Sequence, residues 1–341
     1  MNLFRKCIGS LLFAGALLVC GAPAKSQPPA AAQPGARTVM DAHNCYPYFE
    51  WWSDRIDRAI STGTPLAIEQ DLLWHTDPKT GRSWSVVSHG APSTGNEPTL
   101  KQYFFERIRP IMENALREGN RGDWPLITLN LDLKSEEPQH LAEIWQTLIT
   151  YADWIISAEK TNDLQKLSPL DAKPLLVLTG ESDAQKTAFY NHVPVGGRLL
   201  VFGAVKTNTK DWTAAPDVLA PNPADNYHRW WNNNWKVVES AGQENAGEWT
   251  AAKEMRLAAL VRYAHRQNLW IRFYTLDGAT HEQLSAHGWF KTYNFGSKVA
   301  VSERWNAAIR ARADYIASDQ YQALADAIHN FHTIHDPIRS Q

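Results

Sequence analysis

Alternation of apolar and polar side chains is strongest over residues 126–134, where Ile127, Leu129, Leu131 and Leu133 interleave with Thr128, Asn130, Asp132 and Lys134. Successive side chains of a strand point to opposite faces, so this segment predicts one aliphatic face and one polar face. Seven further runs read as strands: 37–42, 66–72, 84–88, 175–179, 198–203, 270–275 and 314–318. Helical patterns fall between many of them, at 48–61, 100–118, 138–156, 247–267, 302–312 and 320–331. Strands alternating with helices predict a parallel sheet, and about eight repeats predict closure into a TIM-type (β/α)8 barrel. A single α/β domain over residues 38–335 results. Residues 160–173 read as a polar surface excursion, and 207–225, rich in Pro, Thr, Asn and Ala, as a long loop.

The polar face of 126–134 changes the picture. A barrel interior is ordinarily filled by branched apolar residues, so an inward row ending in Asp132 and Lys134 reads as the floor of a site. Residues 66–72 repeat the pattern, with Ala67, Glu69 and Asp71 on one face and Leu66 and Ile68 on the other. Gln70 then faces the helix layer, which the pattern does not explain.

The N-terminus reads as an export signal over residues 1–26. Arg5 and Lys6 precede an apolar run from Ile8 to Val19, shorter than the roughly 20 residues that span a bilayer. Ala22-Pro23-Ala24 and Ala24-Lys25-Ser26 are alternative cleavage sites, while the bulky Val19 before Cys20 speaks against a lipoprotein. Residues 27–37 read as a disordered Pro/Ala-rich lead-in. The expected location is secreted or periplasmic. Of 3 Cys, Cys7 and Cys20 lie in the leader, so Cys45 is the sole expected mature thiol and no disulfide within the chain is expected. With 34 basic and 36 acidic residues, the net charge of -2 gives no general pull toward nucleic acid.

Candidate chemistry gathers at strand ends: Asp41-Ala42-His43-Asn44, Glu69-Gln70-Asp71, Ser88-His89-Gly90 and Asp132-Leu133-Lys134. Glu69, Asp71 and Asp132 are oxygen ligands suited to Mg²⁺ or Ca²⁺ rather than zinc. Three carboxylates, one divalent ion and the Lys134 ammonium sum to zero formal charge, so the site accepts an anionic phosphodiester. Two histidines on neighbouring strand ends can exchange acid and base roles near neutral pH. The expected activity is a metal-dependent phosphoric diester hydrolase.

These residues resemble the phosphatidylinositol-phospholipase-C-like phosphodiesterases, a superfamily that includes glycerophosphodiester phosphodiesterases and the sphingomyelinase D group, whose reaction is phospholipase D-like. The resemblance is carried by His43-Asn44, Glu69-x-Asp71, His89 and Asp132-x-Lys134, and covers residues 39–135 best. It implies a TIM-type barrel holding one Mg²⁺ or Ca²⁺ on Glu69, Asp71 and Asp132. It also implies His43 as base or nucleophile, His89 as acid and Lys134 as a phosphate contact. The implied partner is a small phosphodiester or phospholipid headgroup, with peripheral membrane contact admitted and nucleic acid not expected. Asn44, Asp132 and Gly90 depart from the glycerophosphodiesterase pattern of His-Arg-Gly, Glu and His-Asp. Asp-x-Lys and His89-Gly90-Ala91-Pro92 look more like the sphingomyelinase D side.

Other features have plainer readings. Trp230-Trp231-Asn232-Asn233-Asn234-Trp235 reads equally as a stacking platform or lid and as a loop packed on the barrel rim. His329, His332 and His335 read as a solvated last helix turn. His281, Glu282 and His287 have the wrong spacing for a zinc-protease helix, and 180–183 reads as a strand-end turn. Asp319 either faces the pocket or caps the following helix. Two rival functions stay open: a carbohydrate-active barrel enzyme, motivated by 15 Trp and paired carboxylates, and a non-catalytic barrel binding headgroups or glycans.

Overall fold

Parallel pairing begins where the hydrophobic pattern is clearest. In the computed structural model, which describes residues 30–47, 53–287 and 293–335, strand β4 (Ile127–Leu133) lies between β2 (Leu66–Thr76) and β6 (Leu175–Thr179). The sheet continues through β8 (Phe202–Ala204), β9 (His228–Asn234), β10 (Trp270–Tyr274) and β11 (Tyr315–Ser318) to β1 (Val39–Ala42). Pairing of β1 with β2, Asp41 opposite Ala67, closes the ring. Eight parallel strands thus form a (β/α)8 barrel among the described residues, the expected fold. Ile127, Leu129 and Leu131 are buried in the layer between strands and helices. Helix Glu106–Glu118 buries Ile108, Met112 and Ala115 there and ends at Gly119, whose φ of +69° is open to glycine at no steric cost. Among the described residues no helix is long and apolar enough to cross a membrane.

The membership of the barrel differs from the expectation. The run at 84–88 becomes β3 (Ser83–Val87), an antiparallel partner of β2 outside the ring. Its place is taken by β9, the Trp-Asn segment read as a platform, lid or rim loop. Trp230, Trp231 and Trp235 are buried, and Trp230 Nε1 donates to the Thr179 carbonyl across the wall at 2.8 Å. The run at 198–203 splits into β7 (Arg198–Leu199), paired with β5 (Ala158–Glu159), and barrel strand β8. Three consecutive asparagines carry little strand propensity, which is why β9 escapes a pattern search.

The expected disordered lead-in is ordered where it is described. Ala32 is buried, its carbonyl accepts from Trp270 Nε1 at 2.9 Å, and Gly35 N donates to Asp314 Oδ1 at 2.7 Å. These bonds tether residues 30–37 under the N-terminal end of the barrel. The expected export signal, residues 1–26, lies outside the described residues, as do the first five positions of the expected helix at 48–61.

Candidate metal and acid–base site

All the candidate residues come from the C-terminal ends of strands or the loops that follow them, the end where barrel enzymes carry their sites. Parallel register does the positioning: Glu69 stands opposite Asn130, and Asp71 opposite Asp132. One carboxylate oxygen from each of Glu69, Asp71 and Asp132 lies within 4.8 Å of the other two. Oxygens at 2.3–2.6 Å from one Ca²⁺ are at most about 5 Å apart, so the triad has the dimensions of a cation site.

The donor inventory decides whether a cation fits. Asp71 is fully buried, and neither of its oxygens receives a hydrogen bond. Among the described acidic side chains it alone has both oxygens in that state. The Lys134 ammonium lies 3.2 Å from Oδ2, within ion-pair reach. Burial, then the charges of Glu69 and Asp132, push the Asp71 carboxyl well above its ordinary range, with Lys134 opposing. A buried anion left short of donors is costly, and a divalent ion among these oxygens would remove that cost. Lys134 also donates to Asp132 Oδ2 at 2.8 Å, and Asp132 is open to solvent.

Glu69 is anchored from below. Arg272 Nη2 donates to Glu69 Oε2, Arg272 Nε to Asp41 Oδ2 at 2.5 Å, and Arg272 Nη1 to Asn232 Oδ1 at 3.1 Å. Asn130 Nδ2 adds a bond to Glu69 Oε2 at 3.3 Å. The other oxygen, Oε1, accepts from Asn44 N at 3.4 Å and faces His43 Nε2 at 3.7 Å. Burial raises the Glu69 carboxyl, yet His43 and Arg272 outweigh it and bring it to about 2. Gln70, unexplained by the alternation, donates through Nε2 to the carbonyls of Cys45 and Glu69, tying the loop after β1 to β2.

His43 follows β1 and is held on three sides. Its carbonyl accepts from Arg55 Nη2 at 2.9 Å and from the Tyr321 hydroxyl at 2.7 Å. Its Nδ1–H donates to Asp319 Oδ1 at 2.9 Å, which leaves Nε2 toward Glu69 and, at 3.3 Å, the Thr275 hydroxyl. Of the two readings of Asp319, the pocket-facing one matches its bonds: it also accepts from Asn44 Nδ2 at 3.2 Å and pairs with Arg55 at 3.2 Å. Asn44 has φ +51°, the left-handed region that Asn tolerates better than most side chains. Burial favours neutral His43, but Glu69 and Asp319 together outweigh it and raise the imidazole to about 9.

His89 lies on the loop after β3, exposed, with its ring 5.7 Å from that of Tyr46. Burial and the Lys134 charge lower its pKa, while Asp132 and Glu69 pull the other way. It therefore shares the electrostatic neighbourhood of the carboxylates and His43. All six expected site residues stand at one end of the barrel.

A second triad, His43, Asp277 and Asp319, also lies within 4.8 Å, but its donors are in place. Asp277 Oδ1 accepts from Ser318 Oγ at 2.6 Å and from Asp319 N at 2.7 Å. Burial and the neighbouring Asp319 charge raise the Asp277 carboxyl to about 7. Arg272, Asp277, Arg55 and Thr275 were not picked out from the sequence. Arg272 alone carries a signal, a polar residue at an inward strand position between Ile271 and Phe273; Arg55 lies on a helix and Thr275 and Asp277 follow the strand.

No family model matches this chain, and no curated protein matches it in sequence. Solved structures with a similar chain trace include a glycerophosphodiester phosphodiesterase from Parabacteroides distasonis, 14% identical, covering 86% of this chain and 98% of that one with a TM-score of 0.48. A calcium-dependent phosphoinositol-specific phospholipase C from a Pseudomonas species is 15% identical, with 85% and 91% covered and a TM-score of 0.43. A 7,8-dihydropteroate synthase from Vibrio fischeri is 13% identical, with 87% and 93% covered and a TM-score of 0.37. At these identities and scores the likenesses decide neither fold nor activity; the barrel is established by its own strand pairing.

Proposed function

We propose that this chain is an exported, divalent-cation-dependent phosphodiesterase acting on a small phosphodiester, a phospholipid or its deacylated headgroup. The observation that carries the reading is Asp71: a buried carboxylate without a hydrogen-bond donor, crowded by Glu69 and Asp132. Glu69, Asp71 and Asp132 would hold Mg²⁺ or Ca²⁺. The bound ion would supply positive charge to the phosphoryl oxygens as negative charge grows on them.

The protein's own groups do the rest. Lys134, partly exposed and beside both aspartates, offers a further positive charge to a phosphate oxygen. Asp319 fixes the His43 tautomer so that Nε2 faces the reacting space. Glu69 leads the charges that raise His43; a cation sharing that charge would leave Nε2 as a base or nucleophile near neutral pH. His89, on its exposed loop, gives a proton to the leaving oxygen. Of the tryptophans that motivate the carbohydrate reading, Trp124, Trp230, Trp231, Trp235 and Trp305 are buried in the core rather than displayed to sugar rings.

A turnover screen tests the proposal. Glycerophosphodiesters, lysophospholipids, sphingomyelin and inositol lipids are each supplied with Mg²⁺, Ca²⁺ or EDTA. At least one substrate is cleaved with cation and not with EDTA, and His43→Ala and His89→Ala each lose about three orders of magnitude or more while folded. Turnover indifferent to EDTA, or none on any phosphodiester, overturns it.

A further inference from the structure

A second polar anomaly lies at the opposite, N-terminal end of the barrel. Arg229, near the start of β9, is only 5% exposed, yet no acidic side chain pairs with it among the described residues. Its hydrogen bonds are confined to Nη2, which donates to the carbonyls of Ser168 at 2.9 Å and Asn226 at 3.5 Å; Nε is buried without a partner. The nearby carboxylate, Asp225, is engaged by the His228 ring at 2.7 Å. The face of the Phe202 ring, 5.4 Å from the guanidinium carbon, is a weak substitute for a counter-ion. Burial lowers the Arg229 pKa to about 10 against the pull of Asp225, as expected of a cation short of compensation.

This cation lines a cavity of about 230 Å³ between the tethered lead-in, the excursion at 160–173 and the first residues of β9 and β10. Pro34, Leu167, Pro169, Leu170 and Trp270 supply mostly apolar walls. Drug-sized ligands occupy pockets of about 300–1,000 Å³, so this one takes something smaller. One buried positive charge without an ion-pair partner, and with no second cation in the lining, suits a monoanion, and the apolar walls suit an organic body rather than an inorganic ion. We propose that the cavity binds a small organic monocarboxylate, its anionic end on Arg229 and its apolar part against Leu167, Leu170 and Trp270. The inference is independent of the phosphodiesterase reading, since its residues stand at the other end of the barrel.

Calorimetry and thermal unfolding of the full chain test it with hexanoate and benzoate, set against hexanamide, benzamide and inorganic phosphate at equal concentration. The acids bind in the millimolar range or better and raise the unfolding midpoint with concentration, whereas the amides and phosphate do neither. Arg229→Gln weakens acid binding at least tenfold, Arg229→Lys retains most of it, and both leave phosphodiester turnover unchanged. Leu167→Trp fills the cavity with Arg229 intact and blocks binding, which decides the matter if Arg229→Gln does not fold. Equal binding of acids and amides, binding of phosphate, binding that survives in both Arg229→Gln and Leu167→Trp, or no binding of the acids overturns the proposal.

Discussion

Two clusters at the mouth of the barrel have the same size and nearly the same chemistry, yet their carboxylates are hydrogen-bonded differently. Glu69, Asp71 and Asp132 crowd three carboxylates together, and the central one is left without a hydrogen-bond donor. His43, Asp277 and Asp319 stand equally close, but Ser318, Asn44, Arg55 and the Asp319 amide satisfy their oxygens. Proximity of ligand-type residues therefore says little. Lys134 and Arg272 bring positive charge to the first cluster as Arg55 does to the second, so what separates the two is whether N–H and O–H groups already satisfy the buried oxygens, which at Asp71 they do not.

The sharpest test of that contrast is Asp71→Asn. It takes the charge from the donor-poor carboxylate, so turnover falls about a thousandfold or more, roughly 4 kcal/mol of barrier. In EDTA the same variant is more stable than wild type by about 1 kcal/mol or more, because a buried, repelled anion is gone. Parallel kinetics and thermal unfolding would read both; a variant that stays active and cation-dependent breaks the comparison. Arg272→Met strips the shared counter-ion from Asp41 and Glu69 and costs about 3 kcal/mol or more of stability, measured by urea unfolding. A loss under about 1 kcal/mol would show that the ion pair anchors nothing.

Asp319→Asn probes the satisfied cluster. An amide oxygen can still accept from Nδ1–H but carries no charge, so kcat falls about 10–100-fold, about 1.4–2.8 kcal/mol, with cation affinity unchanged. A drop in cation affinity instead would make Asp319 a ligand. The smallest effect is in titration. In EDTA the His43 imidazole protonates with a midpoint well above its ordinary 6.5, near 9, and saturating Mg²⁺ or Ca²⁺ lowers it, as ring-proton NMR would show. A raised histidine stabilises the fold fully below about pH 6.5 and loses that contribution as pH rises through about 9. The stability gap between wild type and His43→Gln in EDTA accordingly narrows across that window, and a gap that widens refutes the assignment.

How far the site could be read in advance depended on range along the chain. Thr128, Asn130, Asp132 and the flanking leucines announce their strand because period-two alternation is a local property. Glu69 and Asp71 follow the same rule, which puts all three ligand candidates on inward faces. The Trp-Asn strand has no such signal and is missed, because each face carries both a tryptophan and an asparagine, Trp230 with Asn232 and Trp231 with Asn233, and three asparagines carry little strand propensity. The opposite error, counting 84–88 into the ring, arose because alternation does not say whether a strand pairs parallel or antiparallel. The lead-in misled in a third way: its Pro/Ala composition reads as disorder, whereas its order comes from Asp314 and Trp270, more than two hundred residues away.

By itself the sequence determined which strands are two-faced, and hence that carboxylates and an ammonium point into the barrel. Only the tertiary structure decided what each carboxylate meets there. Arg272 reaches Asp41 and Glu69 across 231 and 203 residues, and Asp319 reaches His43 across 276. Closure of the ring makes these distant positions neighbours, and charge compensation depends on distance in space rather than along the chain.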